Sequence, residues 1–158
     1  MTNNSKIIKV YLDTCVYNRP FDDQSHPRIY LETTAFVTIM QMVEKGDIEL
    51  ASSSVLEFEN SKNPFPLRKL WINDCLHSAT QHQKVNESIK SRAKQMEAES
   101  IKSADALHVA CAEAMGCDYF LTCDDRLIKR YRGNLLVENP VNFILLLTKT
   151  SDESENAE

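Results

Sequence analysis

Glycine is scarce in this chain, with three in 158 residues beside five prolines and a single tryptophan. So few flexible residues leave little room for linkers or low-complexity sequence, and no internal repeat is present. Long hydrophobic runs are also missing. The longest uninterrupted apolar stretch is Phe143 to Leu147, far too short to span a membrane. The opening Met-Thr-Asn-Asn-Ser-Lys has no apolar core of the kind a signal peptide needs. A soluble, cytoplasmic protein with no membrane partner is therefore expected. Neither G-x-x-x-x-G-K-[ST] nor G-x-G-x-x-G occurs, which leaves a nucleotide-binding function without support. The five cysteines, Cys15, Cys75, Cys111, Cys117 and Cys123, are odd in number and form no C-x-x-C. They read as reduced thiols and small buried hydrophobes, not as a disulfide framework or a zinc site.

What is present fits one globular domain over residues 1–149, long enough for a full core. The net charge of −5 is uneven. Residues 150–158 hold four acids and nothing apolar larger than alanine, and without them about −1 remains. This tail is expected to be disordered and solvating. The overall acidity argues against a protein that coats nucleic acid non-specifically. It still allows a nuclease, in which acids hold metal and a local basic patch holds phosphates.

Ile7 to Thr14 reads as a strand buried on both faces that ends on a carboxylate, Asp13. A loop of turn formers follows from Asn18 to Pro27. A helix runs from about Arg28 to Lys45, with Gly46 closing it. Ile48 to Ser53 is a second strand, leading into a short helix that a serine near Ser54 can cap. Pro64 and Pro66 break the chain before a helix from Leu67 to about Ser78. Gln83 to Ser100 reads as helix, and Ser103 to Gly116 as an alanine-rich helix that a serine can open. Tyr119 to Thr122 is a third strand, Asp124 to Tyr131 a short helix, Leu135 to Val137 a fourth strand and Val141 to Leu147 a last helix. Strands alternating with helices imply a three-layer α/β/α sandwich with a central parallel sheet of four to five strands. Right-handed crossovers then bring every strand's carboxyl end to one edge.

Four acids approach that edge: Asp13 after the first strand, Glu59 after the second, Asp105 in the first turn of the alanine-rich helix, and Asp124 after the third strand. Singly, each has an ordinary role open to it, as a complement to a helix dipole, an Asx turn or a solvated face. Together they form a cluster that repels itself unless a cation sits among them. Hard oxygen ligands suit Mg²⁺ or Mn²⁺. One or two such ions can generate a hydroxide nucleophile and stabilise the leaving oxygen of a phosphodiester.

The pieces Val10-Tyr11-Leu12-Asp13-Thr14, Ser54-Val55-Leu56-Glu57-Phe58-Glu59, Ser103-Ala104-Asp105-Ala106-Leu107-His108-Val109-Ala110 and Phe120-Leu121-Thr122-Cys123-Asp124 resemble, in order and spacing, the PIN domain family, which includes the VapC-like toxins. Val137-Glu138-Asn139-Pro140 before an apolar helix is similar to the family's usual close. The resemblance covers nearly everything before the acidic tail. It implies a metal-dependent ribonuclease in which Asp13, Glu59, Asp105 and Asp124 bind Mg²⁺ or Mn²⁺ and carry catalysis. Thr14 and Thr122 match the family's small hydroxyl residues, suited to orienting carboxylates or water. Glu57 competes with Glu59, since residues two apart lie about 200° apart on a helix and only one can face the metal. Asp125 likewise supplements or replaces Asp124. An RNA substrate, an antitoxin protein and a second copy in a homodimer are the partners the resemblance makes plausible. The loop after Asp13, with Asp22 and Asp23, is longer than in many VapC-like toxins.

For substrate, Arg126 and Arg130 share a helix face beside Asp124, within a basic cluster that adds Lys129 and Arg132. Arg19 is a second candidate for phosphate. Tyr17 and Phe21 are able to stack on bases or to pack as core or lid. His108, three residues after Asp105, reads as a packing residue before a general base. The alternative function is a non-catalytic PIN-like scaffold that binds RNA or protein. A haloacid-dehalogenase-type phosphatase wants a second Asp where Cys15 stands. A phosphate-accepting receiver wants a lysine where Asn139-Pro140 stands.

Overall fold

The apolar run Ile8–Leu12 forms β1, the middle strand of the molecule, with Val10, Tyr11 and Leu12 wholly buried. This is the burial on both faces that a continuous β-branched and aromatic run favours. The computed structural model describes residues 6–156, with side chains described as far as Lys149. β1 pairs with β2 (Ile48–Ser53) on one side and β4 (Tyr119–Leu121) on the other. β3 (Gln81–Gln83) pairs with β2, and β5 (Leu136–Glu138) with β4. Every pairing is parallel, and the order is β3-β2-β1-β4-β5. The chain thus builds outward from β1 in one direction, then crosses back and builds outward in the other. The reversal falls between β1 and β4, and in open α/β sheets the crevice at such a switch point is where ligands bind.

Helices cover both faces: α1 (Thr14–Asn18), α2 (Pro27–Lys45), α3 (Ser54–Ser61), α4 (Pro66–Leu76), α5 (Glu87–Ala98), α6 (Ser103–Ala114), α7 (Asp125–Arg130) and α8 (Pro140–Asn156). α2 and α4 each start on a proline, whose missing N–H costs nothing there. α2 ends at Gly46, whose φ of 81° lets its N–H return to the carbonyls of Met42 and Val43. α5 packs on α6, and α2 on α8. Ala106, Val109, Ala110 and Ala112 of α6 are all buried, so its small side chains allow the close approach expected.

The structure departs from the sequence expectations at several points. The stretch after Asp13 is not all loop: α1 and a 3₁₀ turn over Arg19–Phe21 occupy its start. Residues 83–100 are not one helix. Gln81–Gln83 forms β3, and α5 begins only after Asn86, whose side chain accepts from the N–H of Ile89 at 2.9 Å. α3 is capped by Ser53, not Ser54, and α6 starts without a side-chain cap: Lys102 holds its N-cap position, and Ser103, its first residue, donates to Glu97. The last helix does not stop at Leu147. It runs to Asn156, through most of the segment expected to be disordered, and no glycine or proline after Pro140 interrupts it. Residues 157–158 of that segment lie outside the described residues. Among the described residues no helix is long and apolar enough to cross a membrane.

Candidate active site

The switch point holds Asp13. Its backbone N–H extends the sheet ladder to the carbonyl of Leu121 at 2.9 Å, which fixes where the carboxylate emerges. Its side chain caps α1, with Oδ1 accepting from the N–H of Thr14 at 2.8 Å. Oδ2 accepts from the hydroxyl of Thr122 at 2.9 Å, and that hydroxyl accepts in turn from the N–H of Asp124 at 3.1 Å. Thr122 is fully buried and thereby ties the ends of β1 and β4 together. Asp124 caps α7, accepting from the N–H groups of Arg126 and Leu127. Asp105 stands in the first turn of α6. It shares a depression with Asp124, Lys102, Arg126 and Arg130.

Glu59 reaches the same edge from α3, and a buried chain of hydrogen bonds sets its orientation. Its Oε1 lies 2.7 Å from Nε2 of His108, and its Oε2 accepts from the hydroxyl of Thr14. Nδ1 of His108 lies 2.7 Å from the hydroxyl of Tyr11, which lies 2.6 Å from Oγ of Ser53. Ser53 also caps α3, the helix that carries Glu59. The donors run in one sense when both imidazole nitrogens donate, with Tyr11 passing its proton on to Ser53. Burial pushes His108 toward neutrality. The hydrogen bond to Glu59 and the charges of Asp13, Glu59 and Asp105 outweigh it, so the imidazole is raised above its ordinary pKa. Burial pushes the Glu59 carboxyl up, and the bonds from His108 and Thr14 bring it below its ordinary value. Both directions describe one charged pair.

Asp105 is the strained member. Burial, then the charges of Asp13 and Asp124, push its carboxyl up to about 6. Among the described residues, no three His, Cys, Asp or Glu side chains stand together as a ready-made metal cage. The fit of a cation rests instead on charge and donor chemistry. The charges of Asp13 and Asp124 disfavour the ionised Asp105, and hard carboxylate oxygens are the ligands Mg²⁺ and Mn²⁺ take.

The two pairs left open by the sequence separate in space. Glu57 points away from the site and pairs with His82 at 2.9 Å. Asp125 is exposed and held by Arg28 through two contacts of 2.8 Å, so it does not join Asp124. Arg19 is not free for phosphate. It donates to Glu32 at 3.0 Å and Asp22 at 2.9 Å, anchoring the loop after α1. Tyr17 is buried edge-on against Phe36, out of reach of a base, while Phe21 packs on Trp71 beneath Arg68. Arg130 donates to the carbonyl of Ser100 at 3.0 Å, and Arg126 is exposed. His108 is thus more than a packing residue, and Tyr11 and Ser53 join it in the support of Glu59. In the sequence, the i, i+3 spacing of Asp105 and His108 is the one signal for this role.

Solved structures of similar fold lie at low identity. A chain of FitAcB from Neisseria gonorrhoeae superimposes with a TM-score of 0.55 at 17% identity, covering 83% of this chain and 97% of that one. A chain of VapBC2 from Rickettsia felis, bound to a DNA fragment from its promoter, gives 0.54 at 18%, covering 84% and 98%. A chain of DNA-bound VapBC from Salmonella typhimurium gives 0.52 at 16%, covering 85% and 99%. No curated protein matches the sequence. The PIN domain family model, by contrast, matches residues 10–134. That span starts inside β1 and takes in Asp13, Glu59, Asp105 and Asp124, so the acids at the switch point lie on the family's own framework: the chain belongs to the PIN domain family.

Proposed function

We propose that this protein is a Mg²⁺- or Mn²⁺-dependent endoribonuclease whose acids are Asp13, Glu59, Asp105 and Asp124. The observation that carries the reading is a half-buried Asp105 at the edge where β1 and β4 end, pushed up to about 6 by burial and then by the charges of Asp13 and Asp124. A bound divalent ion would acidify an attacking water and offset charge developing on the phosphate. Thr122 and the N–H of Thr14 hold Asp13 in one orientation, and His108 and Thr14 hold Glu59. Arg126 and Arg130, in the same depression as Asp105 and Asp124, would take the flanking phosphates. PIN domains are generally nucleases, which supports the reading. The test is cleavage of single-stranded RNA by the purified chain with Mn²⁺, compared with Asp13→Asn and Asp105→Asn. Full activity in both variants removes this site.

The partner we propose is an antitoxin protein, since two of the structures similar in fold are VapBC complexes. Phe65 at the N-cap of α4 and Leu67, Leu70 and Trp71 along the helix are exposed apolar side chains that such a partner would cover. The lack of a ready-made metal cage favours a second reading, a non-catalytic scaffold. Calorimetric titration with Mn²⁺ separates the two, because a scaffold has no reason to bind metal at these acids.

Two expected results follow from the site. His108→Ala should lower Mn²⁺ affinity and cleavage by roughly 10–100-fold, the usual effect of removing a residue that orients a ligand. His108→Gln, which keeps a donor toward Glu59, should restore part of it. Asp105 gives a pH dependence. Its folded pKa of about 6 exceeds its ordinary 3.8, so folding binds a proton between those values. Its contribution to metal-free stability therefore falls as pH rises through that window. Asp105→Asn should raise the metal-free Tm by several degrees near neutral pH and by little near pH 4, read by thermal melts. Mn²⁺ affinity of the native chain should weaken as pH drops through about 6, as protons compete for the carboxylate.

A further inference from the structure

Helix α3 carries two carboxylates that leave it on different sides. Glu59 turns to His108 and Thr14. Glu57, about 200° round the helix, turns to His82. Glu57 and His82, with Ser52, Lys69, Asn73 and His77, line a cavity of about 500 Å³ between α3, α4 and the β2–β3 edge of the sheet. Pockets for small organic ligands span roughly 300–1,000 Å³.

Ser52 marks this cavity as more than a surface hollow. The residue is 2% exposed, yet its hydroxyl has no hydrogen-bond partner among the described residues. Leaving a buried hydroxyl unpaired is unfavourable. Its neighbour Ser53 shows the usual solution, bonding both Tyr11 and the N–H of Leu56. Ser52 and His82 are register partners across β2 and β3, so the sheet itself sets their spacing. Around them stand donors from Lys69, Asn73 and the imidazoles, and an acceptor, Glu57. A carboxylate in the wall disfavours a bare phosphate. A mixed set of donors and acceptors matches the polar edge of a nucleobase, and proteins that read single-stranded RNA do so by hydrogen-bonding unstacked bases in this way.

We propose that this cavity is a base-recognition pocket. One unstacked nucleobase of the RNA enters it while a nearby phosphate of the same strand lies at Asp13 and Asp105. The two sites stand on opposite sides of one helix, roughly 10–12 Å across with its side chains, a span that an extended strand covers within a few nucleotides. The inference rests on the ribonuclease reading for the strand's path, but the pocket is testable without catalysis.

The experiment titrates the four nucleoside 5′-monophosphates into the full chain and follows backbone amide resonances by NMR. Saturable shifts are expected at Ser52, Asn73 and His82, with one base preferred. Ser52→Ala should weaken the preferred nucleotide roughly three- to tenfold, the worth of one neutral hydrogen bond. It should leave Tm unchanged or raised, because the lost hydroxyl had no partner. Glu57→Gln should change the ranking of the four bases. No saturable shift at these residues with any nucleotide, or affinities unaltered by both substitutions, would overturn the pocket. If RNA cleavage is lost in Asp13→Asn while the pocket stays silent, this inference fails and the ribonuclease reading stands. If the nucleotides bind here and Asp13→Asn and Asp105→Asn both cleave as the native chain does, the reverse holds.

Discussion

Asp13→Asn is expected to lower Mn²⁺-dependent RNA cleavage by roughly 10²–10³-fold, the range for removing one preorganised charge-stabilising group, with Tm almost unchanged. The geometry explains why the two effects separate. Asparagine keeps a carbonyl oxygen able to accept from the N–H of Thr14, so the cap of α1 survives. Its amide meets the hydroxyl of Thr122, which can rotate from donating to accepting. What disappears is the negative charge at the carboxyl end of the central strand. That charge is where a cation would be drawn, and it is one of the two that push Asp105 up. Single-turnover cleavage of a labelled RNA, alongside a thermal melt, reads both quantities. A variant that melts well below the native chain would mean that Asp13 is chiefly a structural cap.

A second large effect is expected at Glu32, which lies outside the acid cluster. It is fully buried and accepts from Arg19 at 3.0 Å, from Arg28 at 3.4 Å and from Asn139 at 2.6 Å. These contacts join α2 to the loop after α1 and to the turn before α8. Removing one partner of a buried ionic network costs about 3–5 kcal/mol, and the low end applies here because Arg19 keeps Asp22 and the half-exposed Arg28 keeps Asp125. Glu32→Ala should therefore lower Tm by roughly 10 °C for a chain of this size. Asp125→Ala, which breaks a half-exposed pair with Arg28, should cost no more than about 1 kcal/mol. Arg28 also donates to the carbonyl of Cys123 at 3.2 Å, directly before Asp124. Loss of Glu32 should thus loosen the Asp124 loop and weaken Mn²⁺ binding as well as stability. Urea melts of the two variants make the comparison, and a cost below about 1 kcal/mol for Glu32→Ala would show that the network contributes little.

Much of this framework could be read from local sequence. Ile8–Leu12 is apolar enough to declare a strand buried on both faces, and the carboxylate that ends it needs no distant partner to be noticed. The alternation of strands and helices carried the parallel sheet, and the glycine at position 46 marked the end of α2. β3 escaped because Gln-His-Gln has no apolar alternation. Its strand character comes from pairing with β2, a contact made across the fold. Helical geometry said that only one of Glu57 and Glu59 faces the site. The choice was made by His108, which is distant in sequence and adjacent in space. Asp124 and Asp125 were separated in the same way by Arg28. Arg19 looked free because Glu32, its buried partner, lies 13 residues further along the chain, inside α2. Local propensity thus placed the acids at one edge, and non-local hydrogen bonds decided which of them stay there.

The central claim is that the acids at the β1–β4 switch point hold a divalent cation. A crystal of the full chain soaked in Mn²⁺, with anomalous data collected at the manganese edge, tests it most directly. The account predicts a peak within coordination distance of both Asp13 and Asp105. A clean map with no peak at these carboxylates, or manganese bound only at Glu57 or Asp125, would contradict it.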